Sequence, residues 1–344
     1  MRQRLATPCA ILLMLSTAGC GGSSPTEPSS SGGPTSSVLQ GQTVNAIDGA
    51  PLSNLSVRVG TSFPLSATTD GSGYFQVDVN AQSVHRTVVS GGSVVERDTR
   101  IGGSGSRARV SMIPSSFDLH AFDEMFRGSN ARLQRWTSRP ALVILAAVME
   151  YRDQSGQTYS ATEEKLSDEE IAQLRTHLEE GLALLTGGAY TSFASVDVEH
   201  PAGGTRVNTL RTGQIVVGRY NGIAKFANTI GYGMWSEMPN GSIAGGAMYL
   251  DREFDRDDSR RRLLRVHELG HALGYQHVES RTSIMNPSIG PEPTEFDRSG
   301  AIIAFERPVG NTSPDIDPAS GSLTVLTGEG RWVAPRTACG LGRS

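Results

Sequence analysis

The stretch from His267 to His277, H-E-L-G-H-A-L-G-Y-Q-H, constrains this chain more than any other feature of it. At 3.6 residues per turn, histidines four apart project from one helix face, so His267 and His271 can converge on a single ion. Glu268, one position on, is placed to reach a water at that ion without being a ligand, as a general base must be. Gly274 can take the positive φ that ends a helix and turns the chain, which returns His277 to the same point. Three neutral nitrogens leave one position of a tetrahedral zinc open, the mark of a catalytic site. There a zinc ion lowers the pKa of water from 15.7 towards about 7 and polarises a carbonyl. With seven histidines in the chain, the bare H-E-x-x-H arises by chance in roughly one such sequence in a hundred, and the full pattern in roughly one in 10⁵.

Eight residues past His277 stands Met285, in Ser283-Ile284-Met285-Asn286-Pro287. The extended H-E-x-x-H-x-x-G-x-x-H followed by such a methionine resembles the metzincin metallopeptidases, and the gap to Met285 resembles their matrixin branch. The resemblance implies His267, His271 and His277 as zinc ligands, Glu268 as base and acid, Gly274 as the helix-ending turn, and Met285 as the apolar floor of a Met-turn. Two departures are visible. Pro287 stands where the astacin and serralysin branches carry a tyrosine, which leaves oxyanion stabilisation to the metal and backbone groups. The cysteine-bearing prosegment of matrixins has no counterpart upstream.

The N-terminus is an export signal. Arg2 and Arg4 precede an apolar run, Ala10 to Leu15, too short to span a bilayer. Thr17-Ala18-Gly19-Cys20 resembles a bacterial lipobox, which makes Cys20 the lipidated first residue after removal of residues 1–19. Residues 20–37, rich in Gly, Ser and Pro, then read as a tether on a bacterial membrane or cell surface; ordinary cleavage and secretion is the alternative. Cys9 and Cys20 belong to this region, so Cys339 stands alone in the mature folded chain and no disulfide joins folded parts. A net charge of −4 gives no electrostatic footprint for nucleic acid.

Two folded regions follow, and the expected class is a multidomain chain: an N-terminal all-β sandwich, then an α+β peptidase domain. Residues 38–113 show short Val-rich alternating runs broken by Asp48-Gly49, Asp70-Gly71-Ser72-Gly73 and Gly91-Gly92. Their order resembles the carboxypeptidase regulatory-like, transthyretin-like sandwich, which implies a scaffold or binding role. Asp70 and Asp78 are explained by turn chemistry. Residues 114–138, with Phe117, Phe122, Phe126 and Trp136, form a connector. The peptidase region, 139–310, is expected to hold a buried strand over Ala141–Met149, a helix from Ser167 or Asp168 to Leu185, and strands at 193–198, 214–219 and 247–250. The zinc helix then runs over Ser259–Tyr275, with a final helix at 294–306, and 311–344 remain as a C-terminal tail.

In the metzincin order, the strand before the active-site helix borders the cleft. On that basis Gly245, Gly246, Ala247 and Met248 are expected on an edge strand that pairs with an extended polypeptide substrate. Asp251, Glu253, Asp255, Asp257 and Asp258 suit helix capping and charge balance, with a structural calcium ion as the other reading. Arg260, Arg261, Arg262 and Arg265 read as a solvated helix face. The leading function is a monomeric, zinc-dependent endopeptidase on a lipid anchor. A peptidase-shaped adhesin and a zinc amidase acting on cell-wall bonds are the alternatives.

Overall fold

A computed structural model describes residues 36–80, 84–102, 107–151, 158–319 and 337–340. The expected signal, Cys20 and most of the tether lie outside the described residues. Seven strands come first: β1 (Ser36–Asn45), β2 (Ser56–Val59), β3 (Leu65–Thr68), β4 (Tyr74–Asn80), β5 (Val84–Gly91), β6 (Val94–Gly102) and β7 (Arg107–Met112). They form two sheets, ordered β4-β1-β7 and β3-β2-β5-β6. The alternation read in the sequence sends Leu39, Val57, Val59, Phe75, Val77, Val89, Ile101 and Val110 inward, into one apolar cluster between the sheets. The Asp70 turn works through its carboxylate, whose Oδ1 accepts from Ser72 N and Tyr74 N, each at 2.9 Å.

The connector begins as α1 (Leu119–Phe122), capped by Asp118, and continues through single π and 3₁₀ turns over Asp123–Asn130. Phe122, Phe126 and Trp136 are buried in the core of the region that follows, as their aromatic character suggested. That region holds β8 (Ala141–Leu145), β9 (Ala147–Glu150), β10 (Thr158–Lys165), α2 (Asp168–Leu185), β11 (Val196–Glu199), β12 (Arg206–Asn208), β13 (Gln214–Asn221) and α3 (Ile223–Ala227). It continues with β14 (Thr229–Glu237), β15 (Ile243–Asp251), α4 (Arg252–Asp257), α5 (Arg261–Ala272), α6 (Glu295–Phe305) and β16 (Thr337–Gly340). The apolar run at 141–149 is two strands, not one, broken at Ala146. α2 starts where its capping box places it, with Ser167 Oγ accepting from Glu170 N and Glu170 Oε2 accepting from Ser167 N.

One mixed sheet organises this region in the order β12-β10-β9-β13-β15-β14-β16, with β8 on β13 and β11 on β8. Strict alternation splits its side chains between two cores. Leu142, Ile144, Val217, Met248 and Leu250 face α2, α5 and α6. Val143, Leu145, Val216 and Ala247 face a second core, where Tyr151, Tyr159, Tyr220, Tyr232 and Tyr249 pack ring against ring with centroids 4.4 to 6.4 Å apart.

The described residues from Ser36 onward belong to one compact unit. Residues 311–317, expected as the start of a tail, are instead folded into the junction between the two regions. Arg97 of β6 donates to Ser111 O at 2.6 Å and to Asp317 Oδ2 at 3.1 Å. Arg307 donates to both Asp315 oxygens at 2.8 Å and to Ser111 Oγ at 2.8 Å. Asn311 Nδ2 bridges the two aspartates, and all of these side chains are buried.

Candidate metal centre

α5 is buried on every side from Leu263 to Ala272, wedged between the sheet and α2. That packing fixes its rotation, and so the direction of the two histidines four apart. His267 Nε2 lies 3.1 Å from His271 Nε2, and His271 Nε2 lies 3.2 Å from His277 Nε2. Nitrogens at two corners of a tetrahedron about zinc stand about 3.3–3.4 Å apart when each Zn–N bond is 2.0–2.1 Å. The donor set therefore fits a zinc ion. Among the described residues, these three are the group of His, Cys, Asp and Glu side chains gathered closely enough to hold a metal.

For two of the rings, the far side fixes the tautomer. His267 Nδ1 lies 2.6 Å from Ile284 O and His271 Nδ1 lies 2.7 Å from Tyr275 O. A carbonyl only accepts, so Nδ1 carries the proton in each case and Nε2 turns its lone pair to the common point. Burial keeps the imidazoles neutral, lowering His267 and His277 to about 4 and His271 well below its ordinary value. Neutral imidazole is the ligating form.

The turn that brings His277 round is built as expected. Gly274 has φ of +100°, a conformation in which a β-carbon clashes with its own backbone. On either side of His277 the backbone is pinned, Gln276 N donating to Met125 O and Val278 N donating to Met285 O, both at 2.9 Å. Met285 is buried beneath the helix. A β-carbon at Gly270 would sit 2.4 Å from its sulfur, so the floor can approach only because Gly270 has no side chain.

Sequence reasoning missed the group that supports this turn. Asp297 of α6 is fully buried, accepts from Ser283 Oγ and from Ile284 N, and closes a capping box with Thr294. Ile284 is the residue whose carbonyl orients His267. The signal was present as T-x-x-D at the start of an apolar run, but its second task shows only in three dimensions.

A second missed group is ionic. Arg265, expected on a solvated face, is fully buried, donating to Asp255 Oδ1 at 2.6 Å and lying 3.1 Å from His177 Nδ1. Arg219 of β13 donates to the other oxygen of Asp255 at 2.6 Å. Of the acidic run, then, Asp251 caps α4, accepting from Phe254 N, and Asp255 is engaged by two guanidinium groups.

The edge-strand expectation is corrected by the topology. Gly245, Gly246, Ala247 and Met248 lie on β15, which pairs with β13 on one side and β14 on the other. Their backbone groups are committed to both neighbours, so no peptide can pair there. Gly246 has a packing role, since a β-carbon on it would meet Ala272 O at 2.8 Å. The strand beyond, β14, runs beside the metal centre. A β-carbon at Gly233 would lie 2.5 Å from His271 Cβ, and one at Gly231 would lie 3.0 Å from Glu268 Oε1. These two glycines let the strand and the helix touch, and Glu268 is fully buried between them. The outer side of β14 pairs antiparallel with β16, in the register Gly233↔Thr337 and Tyr232↔Ala338. Cys339, expected in a tail, falls within this strand.

A family model described as Matrixin (Peptidase_M10) matches residues 220–300. The match covers less than half of the chain and runs from the end of β13 into α6, taking in all three histidines, Glu268, Met285 and Asp297. It supports a matrixin-like metallopeptidase domain at this position. No curated protein matches the chain.

Proposed function

We propose that this matrixin-like domain is a zinc-dependent endopeptidase, held at a bacterial membrane through Cys20. The observation that carries the hydrolytic reading is the convergence of three neutral imidazoles beside a buried carboxylate that is not one of them. His267, His271 and His277 would hold the ion, the first two with tautomers set by Ile284 O and Tyr275 O and the third carried on the pinned loop. A zinc ion bound there supplies a Lewis acid that polarises the scissile carbonyl and acidifies water.

The chain's own residues supply the rest. Glu268 takes the proton of the attacking water and passes it to the leaving nitrogen, so one carboxylate serves as base and then acid. Gly231 and Gly233 keep the space beside it clear. Pro287 offers no hydroxyl, so among the chain's own groups stabilisation of the developing oxyanion would fall to backbone N–H groups, beside the positive charge that a bound zinc would supply. β14, and not β15, would lay the polypeptide out as an added strand, because its outer side runs past Glu268, and substrate there would displace β16, which pairs with that side from Thr229 to Gly233.

The reading is tested by incubating the zinc-loaded chain with a random peptide library and sequencing the cuts, beside a Glu268→Ala variant. Internal cleavage is expected. The variant should keep its zinc and lose about 10²–10⁴ in turnover, the range a positioned acid–base group contributes. Turnover close to that of the parent chain would remove Glu268 from the role. An uncut library beside amide cleavage in purified cell wall would favour an amidase.

A further inference from the structure

The two ends of the β-sandwich differ in kind. At one end the β5–β6 hairpin meets the connector, with Val94 bridging to Pro114 and Val95 N donating to Ile113 O at 2.8 Å. At the other end β1 begins, Ser36 standing opposite Asn80, and Val84 opens β5 opposite Gly102. The β2–β3 loop folds over this same end, held by Gly60 N donating to Arg86 O at 2.9 Å. Phe63 on that loop is 94% exposed, Val84 67% and Leu65 48%. They account for half of the large hydrophobic side chains exposed among the described residues. Phe63 and Leu65 line a shallow cleft with Val59, Val79, Asp78 and His85, so the apolar groups are neighbours. The core of the sandwich lies directly beneath and is already filled by Val57, Val59 and Val79.

A projecting Phe with Leu65 beside it and Val84 at the same end of the sandwich marks a contact surface; the other exposed large apolar side chains among the described residues, Val198, Phe226 and Ile316, lie in the region that follows. What covers it is argued from where the chain enters. The segment from Cys20 reaches the fold at Ser36, at this end, and can span at most about 55 Å fully extended. A lipid on Cys20 therefore keeps a bilayer within reach of these three side chains at high local concentration. Two cations on the strands that carry this end are ion-paired, Arg86 with Asp98 and Arg58 with Glu96, which reduces their attraction to anionic headgroups.

We propose that this tip of the sandwich rests on the lipid surface, with Phe63, Leu65 and Val84 entering the headgroup–acyl boundary. The sandwich then stands on the membrane and carries the metal centre at its opposite end. This rests on the reading that Cys20 is the anchor, but its test removes the anchor.

The mature chain from residue 20, carrying Cys20→Ser and so without lipid, is mixed with phosphatidylethanolamine–phosphatidylglycerol vesicles and sedimented. Weak binding is expected, little changed between 0.1 and 0.5 M salt. Phe63→Ser should reduce the bound fraction about tenfold or more, and Phe63→Ser with Leu65→Ser about a hundredfold, in keeping with loss of whole buried side chains. Phe63→Trp should shift its emission to the blue on vesicle addition. Equal sedimentation of parent and variants, or no emission shift, overturns the proposal. So does a concentration-dependent dimer that Phe63→Ser abolishes without any vesicle binding, which would assign the patch to a second copy. Mass spectrometry of the wild-type N-terminus reads the anchor separately, so failure of one reading is distinguishable from failure of the other.

Discussion

His267 reaches its position through a relay: Asp297 holds Ser283 and Ile284 N, and Ile284 O holds the ring. Asp297→Ala should loosen zinc by about 10–100-fold, the usual effect of losing a ligand's supporting group, and should lower the melting temperature of both metal-free and loaded protein. Competition with a chromogenic chelator measures the first effect; unchanged affinity would confine Asp297 to capping α6. The ligands also set an acid limit. Unfolded histidines take up protons near pH 6.5, whereas His267 and His277 do so only near 4 in the fold and His271 well below its ordinary value. Between those pH values the unfolded chain binds more protons, so stability falls as pH falls, by up to about 1.4 kcal/mol per unit for each histidine. Urea titrations of the metal-free chain from pH 7 to 4.5 should show this slope, and His277→Gln should reduce it. At this scale the sequence was legible wherever spacing along one helix carries the chemistry, as for His267, Glu268 and His271. It was silent where a partner is distant in the chain, as for Arg265 with Asp255, or where the message is the absence of a side chain, as at Gly231, Gly233 and Gly270.

Among the elements, α2 could be read because an apolar stripe and a cap coincide, and α5 because the histidine spacing requires a helix; their observed bounds differ from expectation by three residues at most. β14 could not. Its residues Thr229-Ile230-Gly231-Tyr232-Gly233-Met234 are buried throughout, so they show no alternation, and two glycines argue against a strand where they in fact permit contact with α5. Missing β14 moved the expected peptide-pairing edge one strand inward, to Gly245–Met248. With β14 as that edge, β16 already lies along part of it, from Thr229 to Gly233. A chain ending at Pro318 should therefore cleave long peptides with a lower KM and little change in kcat, because substrate no longer competes with an attached strand. Steady-state kinetics on one peptide at matched zinc occupancy decides the matter; equal KM values would show that β16 and substrate use different lengths of β14.

For the whole molecule, composition and punctuation divided the chain into a Val-rich β region and a mixed region, and both are present. What holds them together was not legible, because Arg97, Ser111, Arg307, Asn311, Asp315 and Asp317 form no local pattern. Arg307→Met should cost about 3–5 kcal/mol, since it leaves Asp315 buried beside Asn311 without its cation. Calorimetry of the parent chain should show one unfolding transition for residues 36 onward, and the variant should melt lower or in two steps. A variant melting like the parent would assign the junction no energetic role.

That junction also bears on inheritance. Each region supplies polar groups whose partners sit in the other, with Asp317 reaching Arg97 and Thr99 on β6 and Arg307, itself paired with Asp315, reaching Ser111 on β7. Exchanging the sandwich for an unrelated one would leave Asp317 buried without Arg97, and Arg307 without Ser111 though still paired with Asp315, so the peptidase region is not a portable cassette. The two halves can drift in sequence only as a matched pair.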